Sequence, residues 1–483
     1  MATTKKKLSE YEQKRNFKKT PEPSAAKADS AEKQRFVIQE HHATSLHWDL
    51  RLERDGVLVS WAVPKGIPPD PKKNNLAVHV EDHPLDYIDF EGEIPAGNYG
   101  AGKVILWDQG TYECEKFRDD EVIVTFHGER VQGKYVLFQT KGKNWMIHRM
   151  DPPQDSEREP MPEKLTPMLA KLARDLPKKD KDWGYEIKWD GIRALAFIEG
   201  GRIRLVNRNG RETTKQYPEL RELGKEVGAH EMILDGEIVA FDPQGRPSFQ
   251  LLQNRMHLAS DSAIRRRMQD IPVAYMIFDL LYLDGHSTMQ LPYVDRRKLL
   301  EQLELEGQSW RTPSYHAGDG QKVREASRAN QLEGVIAKKL DSTYEPGKRN
   351  NCWLKIKNVQ EQEVVVGGWM PGEGRRANTI GSLVVGYYDG DDLKYAGNVG
   401  TGFKEEDLAR LGRLLEPLKR KTSPFSGRQP KKGAIFVEPE LVAEVEFLEW
   451  TKTATLRAPS YKGLRDDKDS RAVVREVPEA PPE

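Results

Sequence analysis

Apolar and polar residues alternate at period two from Phe36 onward, in LHWDLRLE, GVLVSWAV, KVILWD, EVIVTF and GKYVLFQT, with Gly56, Gly100, Gly110 and Gly133 between the runs. Alternation of this kind puts one set of side chains on a buried face and the other set opposite, so the runs predict strands. Together they predict a compact all-β domain over residues 36–150. Residues 151–166, DPPQDSEREPMPEKLT, carry proline and charge without periodicity and are predicted as a linker. Over residues 167–359, YEIKWDG, RIRLVNRNG, MILDGEIVAF, VAYMIFDLLYL, EGVIAKK and WLKIK alternate with helix-compatible stretches such as VDRRKLLEQLELEG, which predicts mixed α and β. Over 360–475, EQEVVVGGW, VVGYYDG, KYAGNVGTGF and LVAEVEFLEWT are short strands between glycine-rich turns, the pattern of a small barrel. Residues 1–35 are predicted as a flexible arm and 476–483 as a disordered tail.

Composition narrows the class only slightly. A chain of 483 residues accommodates roughly two to four domains, each large enough for its own core. No run approaches the ~18 apolar residues that span a bilayer, and MATTKKKLSEYEQKR has no apolar segment to serve as a secretory signal, so an intracellular, cytoplasmic protein is expected. With Cys114 and Cys352 as the two cysteines, neither a disulfide framework nor a four-cysteine zinc site can form, and any metal must be held by His, Asp, Glu or water. The 76 basic and 76 acidic residues cancel, so net charge does not announce a nucleic-acid partner. The first 35 residues are the exception, with ten Lys or Arg against five acids.

Two strands carry candidate chemistry. In YEIKWDGIR, alternation puts Glu186, Lys188 and Asp190 on one face and Tyr185, Ile187 and Trp189 on the other. A lysine can act as a nucleophile only after losing its proton, which takes desolvation, a metal or nearby cations. Read alone, such a lysine between acids is an ordinary exposed ion pair. In WLKIK, Lys355 and Lys357 project to one side and Leu354 and Ile356 anchor the other, so two ammonium groups face one site and suit a phosphate. In SLHWDLRLE, Leu46, Trp48, Leu50 and Leu52 form the core face and His47, Asp49 and Arg51 share the opposite one, with His41 close enough upstream for a turn to bring it alongside. Two imidazoles and a carboxylate make an open site for Mn²⁺ or Zn²⁺.

Ordered resemblance gives these segments company. The KxDGxR pattern of Lys188, Asp190, Gly191 and Arg193 resembles motif I of the covalent nucleotidyltransferases, the family of ATP-dependent DNA ligases, RNA ligases and capping guanylyltransferases. Arg208 in NRNG, Glu237 in LDGEIV, Phe278 in FDLLY, Glu333 in EGVI and Lys355 with Lys357 in WLKIK resemble the motifs that follow, in the same order. The resemblance implies that Lys188 forms a lysyl-AMP, that Glu186 lies near the adenine edge and that Phe278 stacks on adenine. It also implies that Arg208 and Glu237 hold the ribose and that Glu333 holds Mg²⁺ or Mn²⁺. RAPSYKGLRDDK is similar to the ligase motif VI carried on an OB-fold domain, where Arg465, Asp467 and Lys468 would orient the pyrophosphate leaving group. That motif is far from Lys188 in sequence, so domain motion is implied.

The front domain resembles the 3'-phosphoesterase module of bacterial ligase D, through HHATSLHWDLRLERDG, SWAVPKG, VEDHPLDYIDFEGEIPAGNYGAG and VILWDQGTYE. The resemblance implies His41, His47 and Asp49 as ligands of Mn²⁺ (Zn²⁺ or Co²⁺ being alternatives), with Arg51, Lys65, His83 and Tyr87 around the scissile phosphate. Arg15 and Glu22, from an arm, would approach the site. Asn16 stands where the module has an acid, and Asn75 where it has a basic residue, so a carboxylate and a cation of the module's pattern are replaced by amides here.

The implied architecture is multidomain: an all-β barrel-like phosphoesterase domain, an α+β nucleotidyltransferase domain of antiparallel sheets with helices, and a β OB-fold domain. The implied activity is sealing of nicked or broken double-stranded DNA with ATP by a monomer, after cleaning of 3'-ends, with Ku as a candidate partner. The alternatives are a front domain that only binds DNA ends, and an RNA ligase or capping enzyme.

Overall fold

The computed structural model describes residues 7–24, 33–256, 258, 260–358, 360–372, 379–451 and 453–477. The front of the chain is an antiparallel barrel whose wall runs, in spatial order, Arg35–His42, Leu46–Arg54, Val57–Val63, Asn74–His79, Asn144–Arg149, Gln132–Lys141, Glu121–Gly128 and Gly102–Phe117. Gly102–Phe117 pairs back on Arg35–His42 and closes the wall. Leu50, Leu52, Trp61, Val122, Phe126 and Leu137 fill its interior. The alternation of LHWDLRLE is kept, but its polar face is buried as well: Asp49, Arg51 and Glu53 are 6%, 2% and 2% exposed. Asp49 is enclosed by His41, His47 and Arg51, and Glu53 by Arg35, while the segment expected to be a flexible arm reaches His83, behind Arg51, through Arg15. Residues 7–24 instead form the helix Ser9–Lys14 and a following turn, with Leu8 buried and Tyr11 packed against Val37, Leu58 and Tyr87. The remainder of the arm, residues 1–6 and 25–32, lies outside the described residues.

The segment 151–166 runs pinned along the next domain: Arg158 pairs with Glu231, and the Tyr282 hydroxyl donates to the Glu159 carbonyl at 2.7 Å. That domain holds two sheets. One is ordered Leu169–Leu172, Arg349–Lys357, Gly334–Lys339, Trp183–Lys188 and His316–Ala317. The other is ordered Arg202–Asn207, Ile192–Glu199, Met232–Ala240, Val273–Leu283 and His286–Ser287, with Trp310–Arg311 beside Val273–Leu283. The chain crosses between the sheets at Trp189–Gly191. A Cβ on Gly191 would lie 2.2 Å from the Ile238 carbonyl oxygen, so only glycine permits that crossing.

Asp279 and Arg296 lock the second sheet to the helix Tyr293–Gln302. Both are fully buried, paired at 2.7 and 2.9 Å, and Arg296 also donates to the carbonyls of Leu291 and Ser342. Asp279→Ala would strand a guanidinium in the core, and a loss of about 3–5 kcal/mol in urea unfolding is expected. A loss under about 1 kcal/mol would show that the pair does not anchor the helix.

The last unit is the OB fold, built on Gln360–Pro371, which pairs with Ile380–Asp389, Ile435–Val437 and Val442–Phe447, the last pairing in turn with Ser460–Leu464. The amphipathic helix Glu405–Leu415 packs Leu408, Leu411 and Leu415 into its core. The tail expected from 476 is described as far as 477, and Glu476 is seated between the two domains; residues 478–483 lie outside the described residues.

Candidate active sites

Register builds the ligase-like site. On three neighbouring strands Lys188 aligns with Gly334 and Gly334 with Lys357, while Glu186 aligns with Ile336 and Ile336 with Lys355. Side chains in one such row point to the same side of the sheet. Because Gly334 has no side chain, Lys188 and Lys357 meet over it with Glu333, which pairs with Lys188 and lies 3.7 Å from Lys357. The opposite sheet supplies Arg193, Glu237 and Phe278. Phe278 is the extra residue of a bulge, since Ile277 pairs with Gly236 and Asp279 with Asp235, and it enters the cavity instead of the core. Arg193 is aimed by two 2.6 Å bonds to Asp235, which also accepts from the Tyr344 hydroxyl.

Between the sheets is a cavity of about 170 Å³. It is lined by Glu186, Lys188, Asp190, Arg193, Arg208, Glu237, Phe278, Glu333, Lys355 and Lys357, and closed over by Arg465, Asp467 and Lys468 of the OB fold. All thirteen ligase residues singled out in the sequence therefore share one cavity. Arg465 makes two 2.9 Å bonds to Asp467 and one to Glu444, and Lys468 pairs with Glu363 at 2.6 Å.

Electrostatics correct one expectation. Burial pushes the Lys188 ammonium toward deprotonation, but the Glu333 carboxylate outweighs it and raises the pKa, so in this state the amine is charged instead of free. Glu333 is correspondingly held down at about 2 despite its burial, chiefly by Lys188 and Lys357. Burial drives Glu237 up to about 8 and Lys355 down to about 8. Burial, with Arg349 and Arg193 behind it, also lowers Arg208. A site that penalises its own charges in this way is suited to a charged ligand.

In the barrel, His41 and His47 are cross-strand partners, and both flank Asp49. His41 Nε2 lies 2.9 Å from the Gly100 carbonyl and His47 Nδ1 lies 2.9 Å from the Ser45 carbonyl, so each ring donates its N–H to backbone. The remaining nitrogens, His41 Nδ1 and His47 Nε2, face Asp49 at 3.6 and 3.5 Å. All three ligand atoms lie within 4.8 Å of one another, and the carbonyls fix the tautomers that leave lone pairs inward, so the set fits a divalent cation. The Arg51 guanidinium pairs with Asp49 at 2.7 Å and holds its carboxyl far below the usual range, against the effect of burial.

Behind Arg51 the remaining residues form a buried network. His83 Nε2 lies 3.1 Å from the Arg15 guanidinium, and its Nδ1 lies 2.9 Å from Arg51 Nη1 and 2.8 Å from the Glu81 carbonyl. Burial, then Arg51 and Arg15, lower its pKa and keep it neutral. Glu22 accepts from Arg15 at 2.7 Å and from the Tyr87 hydroxyl at 3.0 Å. Lys65 departs from expectation: it is exposed against Gly200 of the next domain, at the cleft shared with His42 and Trp48, and is not brought to the His41 cluster. Asn75 is on that side too, donating to the Gly66 carbonyl at 2.8 Å, while Asn16 accepts from the Lys18 N–H within its turn.

Residues 167–357 match the ATP dependent DNA ligase domain, 376–468 the ATP dependent DNA ligase C terminal region, and 39–139 the DNA Ligase D 3'-phosphoesterase domain. A solved mycobacterial DNA ligase D complexed with ATP and MES is 42% identical, with a TM-score of 0.50, over 65% of this chain and 98% of that one. The chain belongs to the ligase D family. The multifunctional non-homologous end joining protein LigD of Mycolicibacterium smegmatis is 46% identical over 97% of this chain, and that of Pseudomonas aeruginosa 36% over 99%. The chain spans 61% and 62% of their lengths.

This ligase D relative also carries site residues that the sequence reading missed. Lys338, 1% exposed, pairs with Glu186 at 2.8 Å and lies 4.4 Å from the Phe278 ring centroid; the Tyr293 hydroxyl donates to the same carboxylate. Extending the alternation from Gly334 through Ile336 would have found it. Glu361, Glu363, Glu444 and Glu476 are delivered by the OB fold, and no local pattern points to them.

Proposed function

We propose that this chain is an ATP-dependent DNA ligase with a 3'-end-healing module, acting on nicks and ends of double-stranded DNA as a monomer in end joining at the nucleoid, with Ku as its recruiting partner. The observation that carries the reading is the Lys188–Gly334–Lys357 row with Glu333 above it, closed by Arg465, Asp467 and Lys468. Lys188 Nζ, once deprotonated and parted from Glu333, attacks the α-phosphorus of ATP. The bond to the β-phosphate oxygen breaks, pyrophosphate leaves on the side of Arg465 and Lys468, and a lysyl-AMP phosphoramide forms. AMP then passes to a DNA 5'-phosphate, and a 3'-hydroxyl displaces it to form the phosphodiester. Lys355 and Lys357 neutralise charge on the α-phosphate, Phe278 stacks on adenine, Glu186 meets its edge, and Arg208 and Glu237 hold the ribose. A divalent cation such as Mg²⁺ on Glu333 would supply further neutralisation there and loosen its hold on Lys188.

In the barrel, His41, His47 and Asp49 would hold a divalent cation such as Mn²⁺, which polarises a phosphoester when bound. Arg51 stands beside it to bind the 3'-phosphate. Hydrolysis of that ester gives inorganic phosphate and the 3'-hydroxyl that sealing requires.

The test is sealing of nicked duplexes with 3'-hydroxyl or 3'-phosphate ends, supplied with ATP, GTP or NAD. Sealing with ATP alone is expected, and of the 3'-phosphate nick only after phosphate release. Preference for GTP or for an RNA nick would replace this reading with a capping or RNA-ligase one.

A further inference from the structure

Lys188, Lys355 and Lys357, the lysines on neighbouring strands of one cavity wall, are each held by a carboxylate, but the carboxylates have different origins. Lys188 has Glu333 of its own domain, and Lys357 has both Glu333 and, at 3.4 Å, Glu361. Lys355, with 16% of its side chain exposed, is repelled by both neighbours, and among the described residues the carboxylate that pairs with it is Glu476, at 2.5 Å. Arg349 lies 3.8 Å from the same carboxylate.

Glu476 belongs to a segment fastened to the OB fold. The Tyr388 N–H donates to the Val473 carbonyl at 2.7 Å, Gln362 Nε2 donates to the Val474 carbonyl at 3.0 Å, and the Glu476 N–H donates to Gln362 Oε1 at 3.0 Å. Gln362 is 2% exposed, so this clamp is part of the OB core. The counter-charge of Lys355 therefore travels with the OB fold. With Arg465, Asp467 and Lys468 closed over the cavity, Glu476 is on Lys355, and any withdrawal of the OB fold would take it away with them.

We infer that Glu476 is a positioning residue for the self-adenylation step alone: carried in by the closing OB fold, it holds the Lys355 ammonium beside Lys188, where it can meet the oxygens of the α-phosphate without standing in the path of the attacking amine. In the later steps, with the OB fold away, the DNA phosphate takes its place. This rests on the ligase reading.

The experiment compares the full-length Glu476→Gln and Glu476→Asp variants with wild type in two separate steps. Label transfer from α-labelled ATP reads the first step, and sealing of a nick already carrying 5'-AMP, without ATP, reads the last. For Glu476→Gln the first is expected to slow by about tenfold or more and the last to change by less than about twofold, with partial recovery of the first in Glu476→Asp. An unchanged or faster first step overturns the inference, because Glu476 would then be idle or a competitor of the nucleotide. Equal slowing of both steps overturns it in favour of a structural role, which a lowered thermal midpoint of both variants would accompany. A wild type that seals pre-adenylated nicks but takes no label from ATP would fail the ligase reading itself and the inference with it.

Discussion

Lys188→Ala and Lys188→Arg are both expected to abolish transfer of label from α-labelled ATP, by at least ~10⁴-fold, the scale on which removal of a covalent nucleophile acts. The two variants fail for different reasons, and the pair is informative for that reason. Alanine has no amine and leaves Glu333 without the partner that holds it near 2. Arginine keeps a cation beside Glu333 but stays protonated at every accessible pH, so it restores the electrostatics without the nucleophile. If positive charge at this position were enough, the arginine variant would retain label and the covalent assignment would fall. Both should still seal a nick already carrying 5'-AMP, since the lysine has no bond to make there. Loss of that step in the arginine variant would give Lys188 a second role.

How far the sequence carries depends on the range of the interaction. Lys188, Lys355 and Lys357 were legible because alternation along a strand sets which side chains share a face, and register then only has to align the strands. Phe278 was legible only through its family motif, because the pattern of VAYMIFDLLYL makes it core, and the bulge that turns it into the cavity depends on pairing with Asp235 and Gly236. The packed front segment was hidden for the opposite reason. Its docking rests on Leu8 and Tyr11 among many charges, too few apolar residues to register as a pattern. Arg15, Glu22 and His83 were assigned from resemblance alone, and their mutual pairing in a buried network reflects long-range closure of the arm over the barrel. Lys65 was assigned in the same way, and it is exposed beside Gly200 on the cleft facing the neighbouring domain. The OB carboxylates lie furthest from local pattern, since Glu444 and Glu476 meet Arg465 and Lys355 only through how the last strands and the closed domains fold together.

Asp49→Ala is expected to remove Mn²⁺-dependent release of a 3'-phosphate, by at least about 10²-fold, while sealing of 3'-hydroxyl nicks is unchanged. Asp49 serves three neighbours at once: it completes the cluster with His41 and His47, and it neutralises the buried Arg51. Its pKa is held far below the ordinary value in spite of burial, mainly by Arg51. The carboxylate is therefore charged at neutral pH, and its binding and stabilising contributions are lost only as pH falls through that depressed value. Removing it leaves two imidazoles for the metal and an unpaired guanidinium, so both metal affinity and the aim of Arg51 should go. His41→Ala separates these effects, because it removes one ligand and leaves the Asp49–Arg51 pair in place. Titration of Mn²⁺ should show weakened binding in both variants. If either variant binds Mn²⁺ as wild type does and still releases phosphate, the metal is not at this cluster. If both bind it weakly while wild type itself is inert on 3'-phosphate ends, the barrel is an end-binding module, and the misplaced Lys65 and Asn75 become the physical reason.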